Sequence, residues 1–375
     1  MKNLRSLLIK GILFFPLFMQ MTTLQCQIDS SDQSMIAVSG YVDSYYAAYS
    51  NSERIGTLQP LITVGARNNT IGLNVAQLGL HFKKGVVRGN LTLHYGDIAK
   101  ATWDEDFNNV QEANAGVRLA PNVWFDAGFF HTHIGTESFL PKNNRLSSTA
   151  FKTYNEPFYQ AGARLTREAD NWEFQLWVLN GYNTYVDINS GKSIGLLYNY
   201  NFSENTSLTY TNIYGRESRD NREPAQFRFY QNIYLNQTLT DKFFMDLGFD
   251  FATQTHSVLL ESEKTAIMFA GVATFRYQFE PKSSLTARYE IFNDPDGFIG
   301  GFRAVNGGVS GYLLQGFTFG TEYRPTEESY LRAELRQTVA ASDHEIFMRN
   351  DRNSNTRTEF LVTLGIALEK VWKLE

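Results

Sequence analysis

The residues best suited to chemistry begin at His131-Thr132-His133. Two imidazoles two positions apart fall on one face of a strand, as in some metal sites. Ser138 follows, so a serine and histidine nucleophile system is formally available. No third metal ligand accompanies the pair, however, and the chain contains no His-Glu-x-x-His motif. Asp294, Asp296 and Gly297, and separately Asp351, Asn353 and Asn355, resemble the opening of calcium loops. Both lack the downstream Gly and Glu of such loops and lie where polar turns are expected anyway. The expectation is no catalytic residue, no metal and no cofactor.

A second chemistry is electrostatic. The stretch 132–156 carries His133, Glu137, Lys142, Asn143, Asn144, Arg145 and Lys152. Opposed charges at a narrow point select ions by sign and field strength, so these residues form a candidate pore constriction. The alternative is a loop over the mouth with no filtering role. Arg88, Glu112, Arg118, Asp126, Arg164, Asp246, Asp250, Arg288, Glu290, Arg332, Glu334 and Arg336 recur on the polar face of alternating stretches and form a candidate lumen wall. For most of them, pairing with one another (the arginines with Glu112, Glu290 and Glu334) is the expected role.

The elements that position these charges follow from a rhythm that starts near Ile36. Seven short polar turns lie at 83–85, 120–122, 169–171, 203–205, 240–242, 280–282 and 325–328, rich in the Asp, Asn, Pro and Gly of tight reversals. Longer polar stretches centred near Gln59, Asp104, Arg145, Asn189, Asn221, Glu261, Gly301 and Arg352 alternate with them. The two kinds of connection together imply about sixteen strands, with both chain ends on the side of the short turns. Charge parity sharpens this reading. Arg332, Glu334 and Arg336 oppose Leu331, Ala333, Leu335 and Val339, while Asp246 and Asp250 oppose Met245, Leu247, Phe249 and Phe251. Arg88, Asn90, Thr92 and His94 oppose Val87, Leu91, Leu93 and Tyr95, and Glu112, Asn114 and Arg118 oppose Ala113, Ala115, Val117 and Leu119. A soluble sandwich also alternates. Charges on the polar side of so many strands fit a wet interior better, because an Arg or Lys facing lipid costs about 2 to 4 kcal/mol at mid-membrane. The expected fold is all-β: a transmembrane antiparallel barrel with short periplasmic turns and longer extracellular loops.

Composition agrees. The chain is 43% hydrophobic, only 19% charged and 14% aromatic, with 29 Phe and 20 Tyr, which suits an oily belt with aromatic girdles. Tyr41, Tyr45, Trp103, Trp124, Trp172 and Trp177 fit girdle or packing roles, with sugar stacking as the alternative. A mean hydropathy of −0.31 is too polar for a bundle of membrane helices. Net charge of −5 excludes the concentrated basic face that nucleic acid requires. Lys2, Arg5 and Lys10 precede an apolar run over 11–21, the pattern of a secretory signal peptide spanning 1–26, and no linker divides 27–375. Cys26, the single cysteine, falls where cleavage is expected, and bulky Gln25 before it argues against lipidation.

Particular segments carry a resemblance. They are Ser39-Gly40-Tyr41-Val42-Asp43-Ser44-Tyr45-Tyr46, Leu73-Asn74-Val75-Ala76-Gln77-Leu78, the run from Trp124-Phe125-Asp126 through Gly135-Thr136-Glu137-Ser138, Pro157-Phe158-Tyr159-Gln160-Ala161-Gly162-Ala163-Arg164-Leu165 and Leu179-Asn180-Gly181-Tyr182. Together they resemble the OmpL-like outer-membrane β-barrel porins of Bacteroidota, most densely over 41–182. The resemblance implies a porin but no particular cargo. The last strand departs from common barrel usage by ending Trp372-Lys373-Leu374-Glu375, past the aromatic position that assembly machinery often recognises.

The expectation is a water-filled channel for passive diffusion of ions and small hydrophilic solutes in the outer membrane of a Gram-negative bacterium. Its partners would be membrane lipid and lipopolysaccharide, the barrel assembly machinery and its solutes, with no nucleic acid. A homotrimer is admissible, since trimers are common at this size. The competing readings are a non-conducting barrel serving as a surface anchor or adhesion scaffold, and an outer-membrane hydrolase.

Overall fold

The computed structural model describes residues 34–374 except 52–54, 306–307, 343 and 350–351. The expected signal peptide and Cys26, together with Asp351 of the second calcium-like run, lie outside the described residues. Strands form where the period-two pattern predicts them. They are β1 (Ser34–Tyr49), β2 (Thr70–Lys84), β3 (Val87–Tyr95), β4 (Val110–Ala120), β5 (Val123–His131), β6 (Tyr159–Glu168), β7 (Trp172–Leu179) and β8 (Ser193–Ser203). The second half adds β9 (Thr206–Arg216), β10 (Phe227–Thr240), β11 (Phe243–Gln254), β12 (Ala266–Glu280), β13 (Ser283–Asp294), β15 (Gly308–Tyr323), β16 (Ser329–Ala340) and β19 (Thr356–Leu374). Short strands β14 (Phe302–Val305), β17 (Phe347–Arg349) and β18 (Arg352–Ser354) belong to loops, as do the helical turns α1 (Asp97–Thr102) and α2 (Phe151–Asn155).

Each long strand pairs antiparallel with its sequence neighbour, and β1 pairs with β19 from Ser34↔Leu374 to Tyr49↔Glu359. The result is a closed barrel of sixteen strands. Closure leaves no unpaired edge to face lipid, which hydrocarbon would not tolerate. All seven short turns lie at the end that holds Ser34 and Leu374. The turn at Gly85 needs a positive φ of 58°, which glycine adopts without a Cβ clash.

The two faces divide as the charges require. On β16, Leu335 is 55% exposed on the outside, while Arg332, Glu334 and Arg336 are buried inside. A bulge between Thr92 and Leu93 of β3 gives β4 an extra residue, so buried Gln111 joins Glu112 in the inward set. Inside the wall lie two apolar clusters. Phe130, Phe151, Trp177, Tyr230 and Phe292 belong to one, and Tyr41, Tyr45, Trp103, Phe139 and Tyr159 to the other. Trp172 sits instead beside Tyr198 at the end of β7. Among the described residues no helix is long and apolar enough to cross a membrane.

Candidate functional site

The connection from β5 to β6, residues 132–158, is the longest between barrel strands, and it folds into the barrel. Its sequence carries the reason. Ile134, Phe139, Leu140, Leu146 and Phe151 are all buried, a set of apolar side chains too large for a loop standing in water. A single 3-10 turn at Pro141–Asn143 and the helical turn α2 give it local structure.

The wall holds the loop through side chains of inward parity. Arg332 on β16 donates to the Pro141 and Asn144 carbonyls, both at 2.8 Å, and to Glu322 at 2.7 Å. Glu334, one inward step along, accepts from the Ser147 N–H and from the Ser148 hydroxyl at 2.5 Å. Arg288 on β13 donates to Glu137 at 3.0 Å and to the Ser148 carbonyl at 2.5 Å, and Glu290 accepts from the Phe151 N–H at 2.6 Å. Further round the same wall, Asp246 and Asp250 on β11 pair with Arg145 and Lys152, the latter at 3.0 Å. Arg332 and Asp246 both stand near the periplasmic ends of their strands, so the loop reaches deep into the lumen. Two glycines make room: a Cβ on Gly248 would lie 2.1 Å from Thr136 Oγ1, and one on Gly320 would lie 2.4 Å from Leu146 Cδ2.

These contacts locate the candidate constriction residues. Glu137 turns back on its own loop, accepting from the Ala150 N–H at 2.6 Å as well as from Arg288. Lys142 donates to Gln77 at 3.2 Å with its ammonium 4.8 Å from the centre of the Tyr41 ring; burial pulls its pKa down to about 8. Arg145 keeps 17% of its side chain accessible. Lys152 is sealed between Asp250 and Glu156; burial opposes its charge, yet the two carboxylates hold its pKa well up. His133 is also enclosed, stacked on Trp177 and bonded to Gln160 at 2.9 Å and to the Asn212 carbonyl at 2.9 Å. Burial lowers its pKa.

The two-apart histidines do not share a strand face. β5 ends at His131, whose ring meets Gln111 at 2.6 Å and lies 3.6 Å from Glu112, whereas His133 turns toward β7 and β9. Ser138 closes a local turn with Leu140 and Asn143, and neither histidine is its partner among the described residues. Asp294 accepts from the N–H groups of Phe298, Ile299 and Gly300, and Asp296 from that of Leu259, so both carboxylates are occupied in shaping loops. Among the described residues no cluster of three metal-ligating side chains occurs.

The wall pairs differ in part from the expected ones. Arg336 pairs with Glu290 at 2.9 Å, within the anticipated set. Arg332 takes Glu322, which also binds Arg276 at 2.5 Å and Arg324 at 2.9 Å, while Glu334 is committed to the loop. Arg88 and Arg164 converge on Asp126 at 2.6 Å and 3.1 Å rather than on Glu112. Arg118 faces inward, 6.0 Å from the centre of the Trp124 ring. Glu322, Arg276, Arg357 and Glu359 were not singled out from the sequence, although each has inward parity on its strand. That parity was the available signal.

Residues 35–368 match the family model described as beta-barrel porin-2, OmpL-like. Among solved structures, the chain is similar to the anion-selective porin from Comamonas acidovorans at 10% identity and TM-score 0.59, covering 90% of this chain and 100% of that one. It is similar to the outer membrane channel DcaP of Acinetobacter baumannii at 10% identity and TM-score 0.59, covering 89% and 97%. The in-vitro folded OmpT of Vibrio cholerae in its trimer form aligns at 11% identity and TM-score 0.56, covering 90% and 100%. At these identities the structural likeness speaks to the fold. No curated protein matches the chain.

Proposed function

The chain belongs to the OmpL-like family of outer-membrane β-barrel porins, and on that premise we propose that it is a passive diffusion channel for ions and small hydrophilic solutes, with no catalytic cycle. The observation that carries this reading is the barrel's interior: a lumen lined by charges from most strands, with one loop drawn across it by those charges. The loop crowds the wall from β10 to β1. The side formed by β2 to β5 keeps partly accessible polar residues, His81, Asn90, Glu112 and Arg118, and these would line the passage. At the periplasmic end a cleft of about 160 Å³, lined in part by Lys83, Arg118 and Trp124, would be its exit. In this account Glu137, Lys142 and Arg145 filter, while Lys152 and His133 anchor the loop.

Export by a signal peptide over 1–26, a single barrel domain over 27–375, surrounding lipopolysaccharide and insertion by the assembly machinery belong to the same proposal. Self-association in the membrane belongs to it too, and the trimer form of the Vibrio cholerae protein supports it. Swelling of liposomes containing the folded protein tests the function: small sugars should drive swelling and larger ones should not. Liposomes that stay isosmotically stable with every sugar would remove the channel.

One observation favours the non-conducting scaffold. Most inward charges are already paired, and the loop fills much of the lumen with its own apolar side chains. The same swelling experiment separates the two readings.

A further inference from the structure

Three uncharged polar side chains gather over a glycine on the β1–β3 wall. Ser39 on β1 and Thr92 on β3 are the register partners of Gly79 on β2, one on each side, and His81 stands one inward step along β2. A Cβ on Gly79 would lie 2.4 Å from Ser39 Oγ, 3.3 Å from His81 Nε2 and 3.4 Å from Thr92 Oγ1, so the three polar atoms converge on one point. Glycine leaves that point without a side chain, which makes the row a recess with a polar rim. Ser39 and His81 are half-buried and Thr92 is 3% exposed, and among the described residues neither hydroxyl has a hydrogen-bond partner.

A chain of amides decides which face the imidazole shows to this recess. The Phe129 carbonyl can only accept, so the Asn114 atom 3.0 Å from it is the Nδ2 donor. Asn114 Oδ1 then accepts from Asn90 Nδ2 at 2.9 Å, which leaves Asn90 Oδ1 facing His81 Nδ1 at 2.6 Å. That nitrogen must carry the proton, and in the neutral ring Nε2 keeps a bare lone pair. The recess thus offers one fixed acceptor beside two hydroxyls that donate or accept. The charges around it are engaged or opposed: Glu112, in register with Thr92, is met by His131, while Lys142 on Gln77 is opposite in sign to Glu369, in register with Ser39.

On the premise of a passage along β2 to β5, we propose that Ser39, His81 and Thr92 form a subsite for an uncharged polyhydroxylated solute, a sugar or polyol. One solute hydroxyl donates to His81 Nε2, and the oxygens of that hydroxyl and its neighbour accept the Ser39 and Thr92 protons. A charged solute would exchange its water for uncharged partners, which disfavours it here. Gly79 supplies the room, and Asn90 is a positioning residue that holds the imidazole tautomer. Three neutral hydrogen bonds hold a solute loosely enough to release it, as conduction requires.

The test uses the full-length mature chain folded in lipid nanodiscs, with sorbitol as the probe. Saturation-transfer NMR reads binding whether or not the barrel conducts, and liposome swelling reads passage separately. Sorbitol should receive saturation from the wild type, and Ser39→Ala/Thr92→Val, which removes both hydroxyls at nearly constant shape, should weaken its affinity about five-fold or more. Heat-modifiable migration on gels verifies that the variant barrel is closed. Asn90→Leu should weaken binding as well, and its imidazole nitrogen spectrum should show the His81 proton redistributed from Nδ1 to Nε2. Sorbitol binding without swelling supports the subsite and counts against the channel alone. Equal saturation transfer from wild type and double variant, no transfer from either, or stronger binding of gluconate or glycine betaine than of sorbitol would each overturn the proposal.

Discussion

Single side chains decide whether the loop is seated and what charge it presents. Arg332 is the most connected of them. Replacing it with Met strips two loop carbonyls of charged donors, worth about 1.5 to 3 kcal/mol each, while Glu322 keeps Arg276 and Arg324. Limited proteolysis should therefore cut Arg332→Met within 132–156 with the barrel still folded, and equal resistance in the two proteins would contradict the contact. Lys142 makes the loop sensitive to pH. Its folded pKa of about 8 lies below the ordinary lysine value, so between the two the folded state has released a proton that the unfolded state retains. Seating of the loop strengthens as pH rises through that window, and the passage loses a positive charge. The reversal potential in a salt gradient should shift toward cation preference between pH 7 and 9, and Lys142→Met should abolish the shift. Arg332 and Glu334 were readable from the sequence as inward charges, because parity alone assigns a face. Their partners were not, because Arg332 and Glu334 are two apart on one strand and only the neighbouring strand's register brings Glu322 within reach.

At the scale of elements, strand faces were legible and the course of the loop was not. The alternation in β16 and β3 needs only local sequence, and the outward face it predicts has a measurable cost. Leu335→Arg should lose about 2 to 4 kcal/mol in unfolding from lipid, and Leu335→Phe far less. Equal losses would mean that Leu335 does not face lipid. The direction of the 132–158 loop depended on Phe139, Leu140, Leu146 and Phe151, whose apolar character the charges beside them obscured. It also depended on inward-facing glycines in strands far along the chain. Gly248→Val together with Gly320→Val should push the loop off the wall and enlarge single-channel conductance. Unchanged conductance with an unchanged proteolysis pattern would place the loop elsewhere.

For the whole molecule, turn rhythm specified closure. Seven tight reversals and the longer connections between them leave a sheet whose first and last strands must meet, and β1 pairs with β19 along its entire length. What the rhythm could not convey is how full the interior is. Arginine and carboxylate pairs, aromatic clusters and a loop that descends to the periplasmic third all compete with water for the same space. The proposed passage runs along β2 to β5, bordered by Lys142, which reaches Gln77 on β2. Planar bilayer recording of the folded protein reads whether that passage is open. Discrete conductance steps are expected, with a reversal potential in a salt gradient that changes when Glu137→Gln and Arg145→Gln are combined. Correctly folded protein that inserts and produces no steps would contradict an open passage.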